Sequence, residues 1–340
     1  MNSATADCNR RTAPRDPSLD VARALSMVYI IVLWHLLSYT GAFSFVPYGG
    51  EYITSVFLGL FFIISGYLLK SKYDITGRAA LKKYLTRRVL RIMPIYAVAL
   101  ASFVMVAMCT PREALFAFLG LSSFIPPQPM TLWFVSMILF FYVCFLVSGL
   151  RCKYVVWTAV YALIIVASHF YDGIDPRLIL YFPCFIFGIF LQKIGRTEQL
   201  TKGGGTLFVL SVLALLLIES PAPALDRLLT ICLAISASVL LLSLSERAAR
   251  IKGVNVAAGF IAYSSLVAYM FHRQLMMVFI HFYWPGSSNG RLIYVLLICA
   301  PAVILFGYAG QKIYDLTLNF LLGLGQRRSP GIPSATDRQA

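Results

Sequence analysis

Long apolar runs, each bounded by charge, proline or glycine, recur ten times along the chain, at approximately 19–40, 52–69, 89–109, 131–149, 154–171, 178–192, 205–219, 228–245, 256–282 and 291–310. Apolar residues fill the runs instead of lining one face, which is the signature of a helix that is apolar all round. A bilayer core of about 30 Å takes roughly twenty such residues, and only helices or closed barrels satisfy their own backbone there. The pattern predicts an all-α polytopic transmembrane bundle of about ten spans. The run from Gly253 to Trp284 is long enough that a tilt, a break or an interfacial end is expected. The remainder divides into a tail over 1–17, a membrane domain over 18–324 and a second tail over 325–340. The tails are rich in Arg, Ser, Pro and Thr, a composition that cannot build a packed core. Any chemistry must therefore lie among the helices.

The first run, SLDVARALSMVYIIVLWHLLSY from Ser18 to Tyr39, differs from the others in carrying Arg23 near its start and His35 inside it. An ionisable group in a spanning helix costs free energy to keep there, so both residues are candidates for function. The competing reading of His35 is a ring hydrogen-bonded between packed helices, and that of Arg23 is a snorkelling anchor at a helix end. The run is too long for a cleaved leader and lacks a small-x-small exit, so it is expected to remain as a signal anchor.

Charge then orients the bundle. Segments on one side carry 24 of the 29 basic residues, while the other side has Arg112, Arg177, Arg227 and Arg291, and Arg273 lies within the ninth run. Basic loops face the cytoplasm, which puts both termini on that side. The net charge of +15 needs no nucleic-acid partner, because anionic lipid headgroups suffice. The seven cysteines are scattered, with no CxxC pair and no His at ligand spacing, so neither a disulfide framework nor a metal site is expected. In this orientation His35, His169, His272 and His281 all fall in the outer halves of their runs.

The strongest basic stretch lies at the inner face: KSKYDITGRAALKKYLTRRVLR, Lys70 to Arg91, has eight basic residues and one acid. Orientation alone needs far fewer. Within it Arg88 and Arg91 are three apart and share a helical face, and guanidinium forks suit phosphate. The pattern reads as an intramembrane titratable site open to the outside, coupled to an anion site inside. Lipid headgroup contact is the alternative for the basic stretch.

Four stretches together resemble the acyltransferase 3 family of integral-membrane acyltransferases. LDVAR followed by an apolar run and WH is similar to the family's pattern of a basic residue, ten intervening residues and a histidine. FFIISGYLL (Phe61 to Leu69) precedes KKYLTRRVLRIMPIY (Lys82 to Tyr96), which holds the family-like RxxR as Arg88 and Arg91. AYSSLVAYMFHRQL (Ala262 to Leu275) resembles a late helix ending in Tyr-x-x-His, here Tyr269 and His272. LWFVSMILFFY (Leu132 to Tyr142) also fits, so the likeness covers nearly the whole chain. One departure stands out: eleven residues, not ten, separate Arg23 from His35. In an α-helix at about 100° per residue this leaves the two roughly 120° apart. A π-bulge in the span, a long arginine reaching round, or two residues that do not act as a pair would each account for it.

The resemblance implies an acyltransferase in the cytoplasmic (inner) membrane of a bacterium, moving an acyl group, most simply acetyl from acetyl-CoA, to a hydroxyl of an extracytoplasmic polysaccharide such as O-antigen (lipopolysaccharide), capsule or exopolysaccharide. His35, with Arg23, would be catalytic, and Arg88 and Arg91 would hold acyl-CoA as the donor substrate. No permanently bound cofactor and no metal are implied. The partners would be acyl-CoA, a glycan or lipid-linked glycan, and membrane lipid. The chemistry suits these residues, since an imidazole is the side chain poised to take a hydroxyl proton near neutral pH. Direct transfer and a covalent relay through His35 both remain open. His272, Tyr269, Arg273, Trp133 and Glu51 are candidates for contacting the acceptor, with interfacial belts the competing reading for His272 and Trp133. The rival function is a transporter or flippase whose intramembrane His and Arg form a relay, which leaves Arg88 and Arg91 without a specific task.

Overall fold

The computed structural model describes residues 16–41, 49–73, 75, 77–147, 153–218 and 221–327; the N-terminal tail through Arg15 and the segment from Arg328 onward lie outside them. Among the described residues the regular structure is all helical. Eight helical segments are long and apolar enough to cross a membrane, and two shorter apolar helices join them. The first span opens as α1 (Pro17–Met27), passes into a nine-residue π-helix (Val28–Leu36) and closes with a 3-10 turn (Leu37–Tyr39). Then follow α2 (Gly50–Lys72), α3 (Arg78–Met105), the short α4 (Pro111–Phe118), α5 (Trp133–Val147), α6 (Lys153–Phe170), α7 (Arg177–Ile194), α8 (Glu198–Leu217), α9 (Pro223–Ala248) and α10 (Lys252–Phe282). The last span is α11 (Ser288–Tyr294), a π segment (Val295–Cys299) and α12 (Ala300–Arg327).

Local sequence accounts for several boundaries. Pro17 at the first helical position and the Asp16 carboxylate, which accepts from the Ser18 amide at 3.0 Å, start α1. Thr110 and Glu113 form a reciprocal capping box that starts α4. α3 begins eleven residues before the apolar run does, because the basic stretch is itself helical and continuous with the run. α10 is one unbroken helix of 31 residues, so the break considered for that long run does not occur.

Glycines let the helices close on one another. A β-carbon on Gly188 of α7 would overlap the Ile63 carbonyl of α2, and one on Gly66 of α2 would overlap the Phe185 carbonyl of α7. Gly307 of α12 meets the backbone of Ala268 and Ser264 on α10 in the same manner. These two helix pairs share the most extensive contacts, as expected where dispersion and close approach replace a hydrophobic driving force. Between them an aromatic core joins α2, α5 and α7: Phe62 packs on Phe141 and Tyr181, and Phe141 packs on Phe182 and Phe185.

At the end of the bundle where α1 starts, Arg196 acts as a clasp. It donates to Asp16 at 2.5 Å and to the Ser18 hydroxyl at 2.7 Å, and pairs with Glu246 of α9 at 3.0 Å. Burial alone would raise the Asp16 carboxyl, but the Ser18 bonds and the Arg196 charge outweigh it and hold it below the ordinary carboxylate value. The first span is thus fixed against α7 and α9 at one end, which leaves its π-helical half to set the geometry of the other.

Candidate active site

The π-helix answers the spacing between Arg23 and His35. A π turn takes about 4.4 residues, or roughly 82° per residue, because its bonds run from i to i+5. Five α steps followed by seven π steps bring His35 round about three full turns from Arg23, nearly to the same azimuth. Met27 and Ile30 lie between them and line an internal cavity. The two ends of this one face are roughly 16 Å apart along the axis, so the structure gathers Arg23 and His35 into different clusters.

At the basic cluster, Arg23 is surrounded by the charges of Arg91, Asp20 and Arg88, and Lys72 by those of Arg91, Arg88 and Arg23. Four cations therefore converge where Asp20 is the acid within their reach. Arg88 lies over the Tyr142 ring at 4.9 Å and the Tyr73 ring at 5.6 Å, and its buried Nε has no hydrogen-bond partner among the described residues. Arg91 is exposed. Such a concentration of positive charge is unfavourable when empty and matched to a polyanion.

From Tyr142 a cavity of about 70 Å³ extends along α5 to Phe134 and reaches Tyr269 on α10. Phe134 and Tyr142 are eight residues apart, about 12 Å of helix. The lining is mostly apolar, with Met27, Ile30, Phe61 and Ile138 among its walls and Ser65, Ser265, Tyr142 and Tyr269 its hydroxyl-bearing residues.

Tyr269, at the far end of the cavity, adjoins the histidine cluster. The Tyr269 ring is 5.7 Å from that of His272, and His272 stacks on His35 with centroids 4.8 Å apart and planes 9° apart. His272 is fully buried. Its Nδ1 is 2.7 Å from the Tyr269 carbonyl oxygen, while its Nε2 and the Nδ1 of His35 are buried without a partner among the described residues. Tyr269 itself donates at 2.7 Å to the carbonyl of Thr131, a residue held at φ 63°. A threonine rarely adopts that left-handed backbone, and here it turns the carbonyl toward α10. Arg273 donates to the Tyr39 hydroxyl at 3.0 Å, and no carboxylate among the described residues pairs with it.

Of the remaining candidates, Trp133 adjoins this cluster, because the Arg177 that covers it lies within electrostatic reach of Tyr269, whereas Glu51, His169 and His281 are exposed at helix ends. The face of Trp133 is covered by Arg177, whose guanidinium carbon is 3.7 Å from the ring centroid, and Tyr181 stacks alongside. Arg177 also pairs with the buried Asp175 at 2.8 Å and donates to Gln128 at 3.0 Å. That Arg177, Asp175 and Trp133 form one assembly was not anticipated; the DPR sequence opening α7 is its signal, because an Asp two residues before an Arg caps the backbone amide that it also pairs with. Glu51 is exposed in the first turn of α2, beside Tyr52, which donates to Asp226 of α9. His169 and His281 are exposed near the ends of α6 and α10.

The cluster thus combines two imidazoles and a cation, and its neighbour Tyr269 lines an apolar cavity that reaches the Tyr142 ring under Arg88. Comparison with curated proteins found no match, and comparison with solved structures found none. A family model described as an acyltransferase domain matches residues 16–309, a range that includes both charged clusters and the cavity between them. The chain belongs to the acyltransferase 3 family and is a membrane acyltransferase.

Proposed function

We propose that the protein moves an acyl group, acetyl from acetyl-CoA in the simplest case, onto a hydroxyl of an extracytoplasmic polysaccharide such as O-antigen, capsule or exopolysaccharide, across the cytoplasmic membrane of a bacterium. The observation that carries this reading is the apolar cavity whose lining runs from Tyr142, the ring under Arg88, to Tyr269, the ring beside His272. Coenzyme A has phosphates at one end and a thioester on a long arm at the other. Its phosphates suit Arg88 and Arg91, with Arg23 and Lys72 adding charge, and its arm suits a dry channel.

At the outer end, an imidazole of the His35–His272 pair takes the acceptor's hydroxyl proton as its oxygen attacks the thioester carbonyl. Arg273 puts positive charge next to the pair, where negative charge develops on the carbonyl oxygen. Excluding water from the passage protects the thioester from hydrolysis. Transport would give the converging arginines no specific task.

The test supplies radiolabelled acetyl-CoA to the cytoplasmic face of inverted membrane vesicles and counts label in the polysaccharide fraction. Wild-type protein should transfer label, and His35→Ala should reduce it at least 100-fold. Equal transfer by the two would remove His35 from the mechanism. An intact glycan crossing the bilayer without any acquiring label would favour the transporter.

A further inference from the structure

A larger hollow of about 630 Å³ opens between α6 and α9, with Ile179 of α7 in its floor. Ile165 and Val166 of α6 and Leu228 and Ile231 of α9 form its walls, side chains of the kind that spanning helices present to hydrocarbon. From Tyr161 to Phe170 it follows α6 for about 13 Å of helix. The Tyr161 hydroxyl donates to the Ile179 carbonyl at 3.1 Å, which ties α6 to that floor.

The trough is charged toward one end. His169, in the last turn of α6, and Arg227, near the start of α9, both line it and are exposed. No carboxylate is in the lining, and none among the described residues pairs with Arg227. The neighbouring Asp226 instead accepts from the Tyr52 hydroxyl of α2 at 2.8 Å. An apolar trough closed by a guanidinium and an imidazole complements a lipid tail that ends in phosphate.

Position then favours one such lipid. α7 runs from Arg177 toward the Arg196 clasp, so the charged end of the trough lies at the other end of the bundle. The first span starts at the clasp and carries His35 toward that same end. Two residues before Ile179, Arg177 covers Trp133 and lies within electrostatic reach of Tyr269, whose ring adjoins His272. The start of one helix therefore separates the charged end of the trough from the histidine cluster. A phospholipid would fill the trough and extend no further, whereas a lipid phosphate bearing sugars would project them over the start of α7.

We propose that this groove seats the lipid of a lipid-linked glycan acceptor: an isoprenoid chain lies along α6 and α9, its phosphate meets Arg227 and His169, and its sugars pass Arg177 toward the histidines. Resting on the acyl-transfer reading, this assignment supplies the acceptor side of it.

To test this, purified protein in nanodiscs of zwitterionic phospholipid is titrated with a fluorescent long-chain polyprenyl phosphate. Wild-type protein should bind the probe saturably, and an equal concentration of phosphatidylglycerol should not displace it. Arg227→Glu reverses the charge and Leu228→Trp fills the trough; both positions are exposed, and each variant should weaken binding about tenfold or more. Val209→Trp on α8, exposed and outside the lining, is the control and should keep wild-type affinity. With a lipid-linked glycan as acceptor in the labelled acetyl-CoA assay, the two groove variants should raise the KM for the acceptor by a similar factor and leave the KM for acetyl-CoA unchanged. Unchanged affinity in either groove variant overturns the proposal. So does equal displacement by phosphatidylglycerol, which would make the groove a seat for bulk phospholipid, or equal affinity for the polyprenol without its phosphate. Each of these results leaves acyl transfer standing. Groove-dependent binding in a protein that transfers no label overturns the acyl-transfer reading and the acceptor role, while the groove keeps its lipid.

Discussion

His35 and His272 come from helices more than two hundred residues apart in sequence, yet their rings lie parallel at 4.8 Å. Rings in contact act as a unit, and groups that act as a unit give non-additive losses when removed. Transfer by the His35→Ala, His272→Ala double variant should therefore be no lower than that of the worse single variant, within about threefold. Multiplying losses in the labelled acetyl-CoA assay would show that the two rings serve separate steps.

At the basic cluster, Arg88 and Arg91 should govern the donor alone. Replacing both by Ala is expected to raise the KM for acetyl-CoA at least tenfold with a smaller change in kcat, since charge-assisted contacts contribute about 1.5–3 kcal/mol each. Arg88→Lys should recover only part of the loss, because an ammonium keeps the charge and loses the fork. Measuring KM at two ionic strengths checks the origin: the wild type should weaken in salt and the double variant much less.

Removing one residue from the π-helix gives a sharper test of the first span. Deleting Leu33 leaves ten residues between Arg23 and His35, and a plain α-helix then returns the two to within roughly 20° of one face. The deletion should keep at least a tenth of wild-type transfer. Deleting both Leu33 and Val32 turns the imidazole about 100° away and should abolish transfer. Comparable activity from the two deletions would mean that the azimuth of His35 is irrelevant.

For the scaffold, Gly188→Ala is predicted to destabilise far more than an exposed substitution, because the added methyl meets the Ile63 backbone and not a side chain that can swing aside. Overpacking of this kind costs about 1–3 kcal/mol or more. Gly203→Ala on α8 has nothing near its new carbon and serves as the control, stable or slightly stabilised through helix propensity. Thermal unfolding in detergent compares them.

Much of this could be read from the chain, for identifiable reasons. Apolar runs announce spanning helices because hydrocarbon leaves the backbone few options. Arg88 and Arg91 announce a shared face through local geometry alone. The π-helix was foreshadowed by the one-residue misfit between Arg23 and His35. What escaped was tertiary. Nothing local tells His272 that it will meet His35, or Trp133 that Arg177 will cover it, and the unusual backbone at Thr131 has no marker in a loop already crowded with prolines. The short α4 was legible in principle, since Thr110 and Glu113 spell a capping box, but its apolar content is too small to register as a span.

The crowding of Arg23, Lys72, Arg88 and Arg91 around Asp20 bears on turnover as well as on loading. On the proposed function these groups would grip the part of coenzyme A that the reaction leaves unaltered, and the spent carrier would then hold the mouth as firmly as the charged one. Free coenzyme A should therefore inhibit transfer competitively with acetyl-CoA, and an inhibition constant far above the KM would show that the cluster does not hold the carrier.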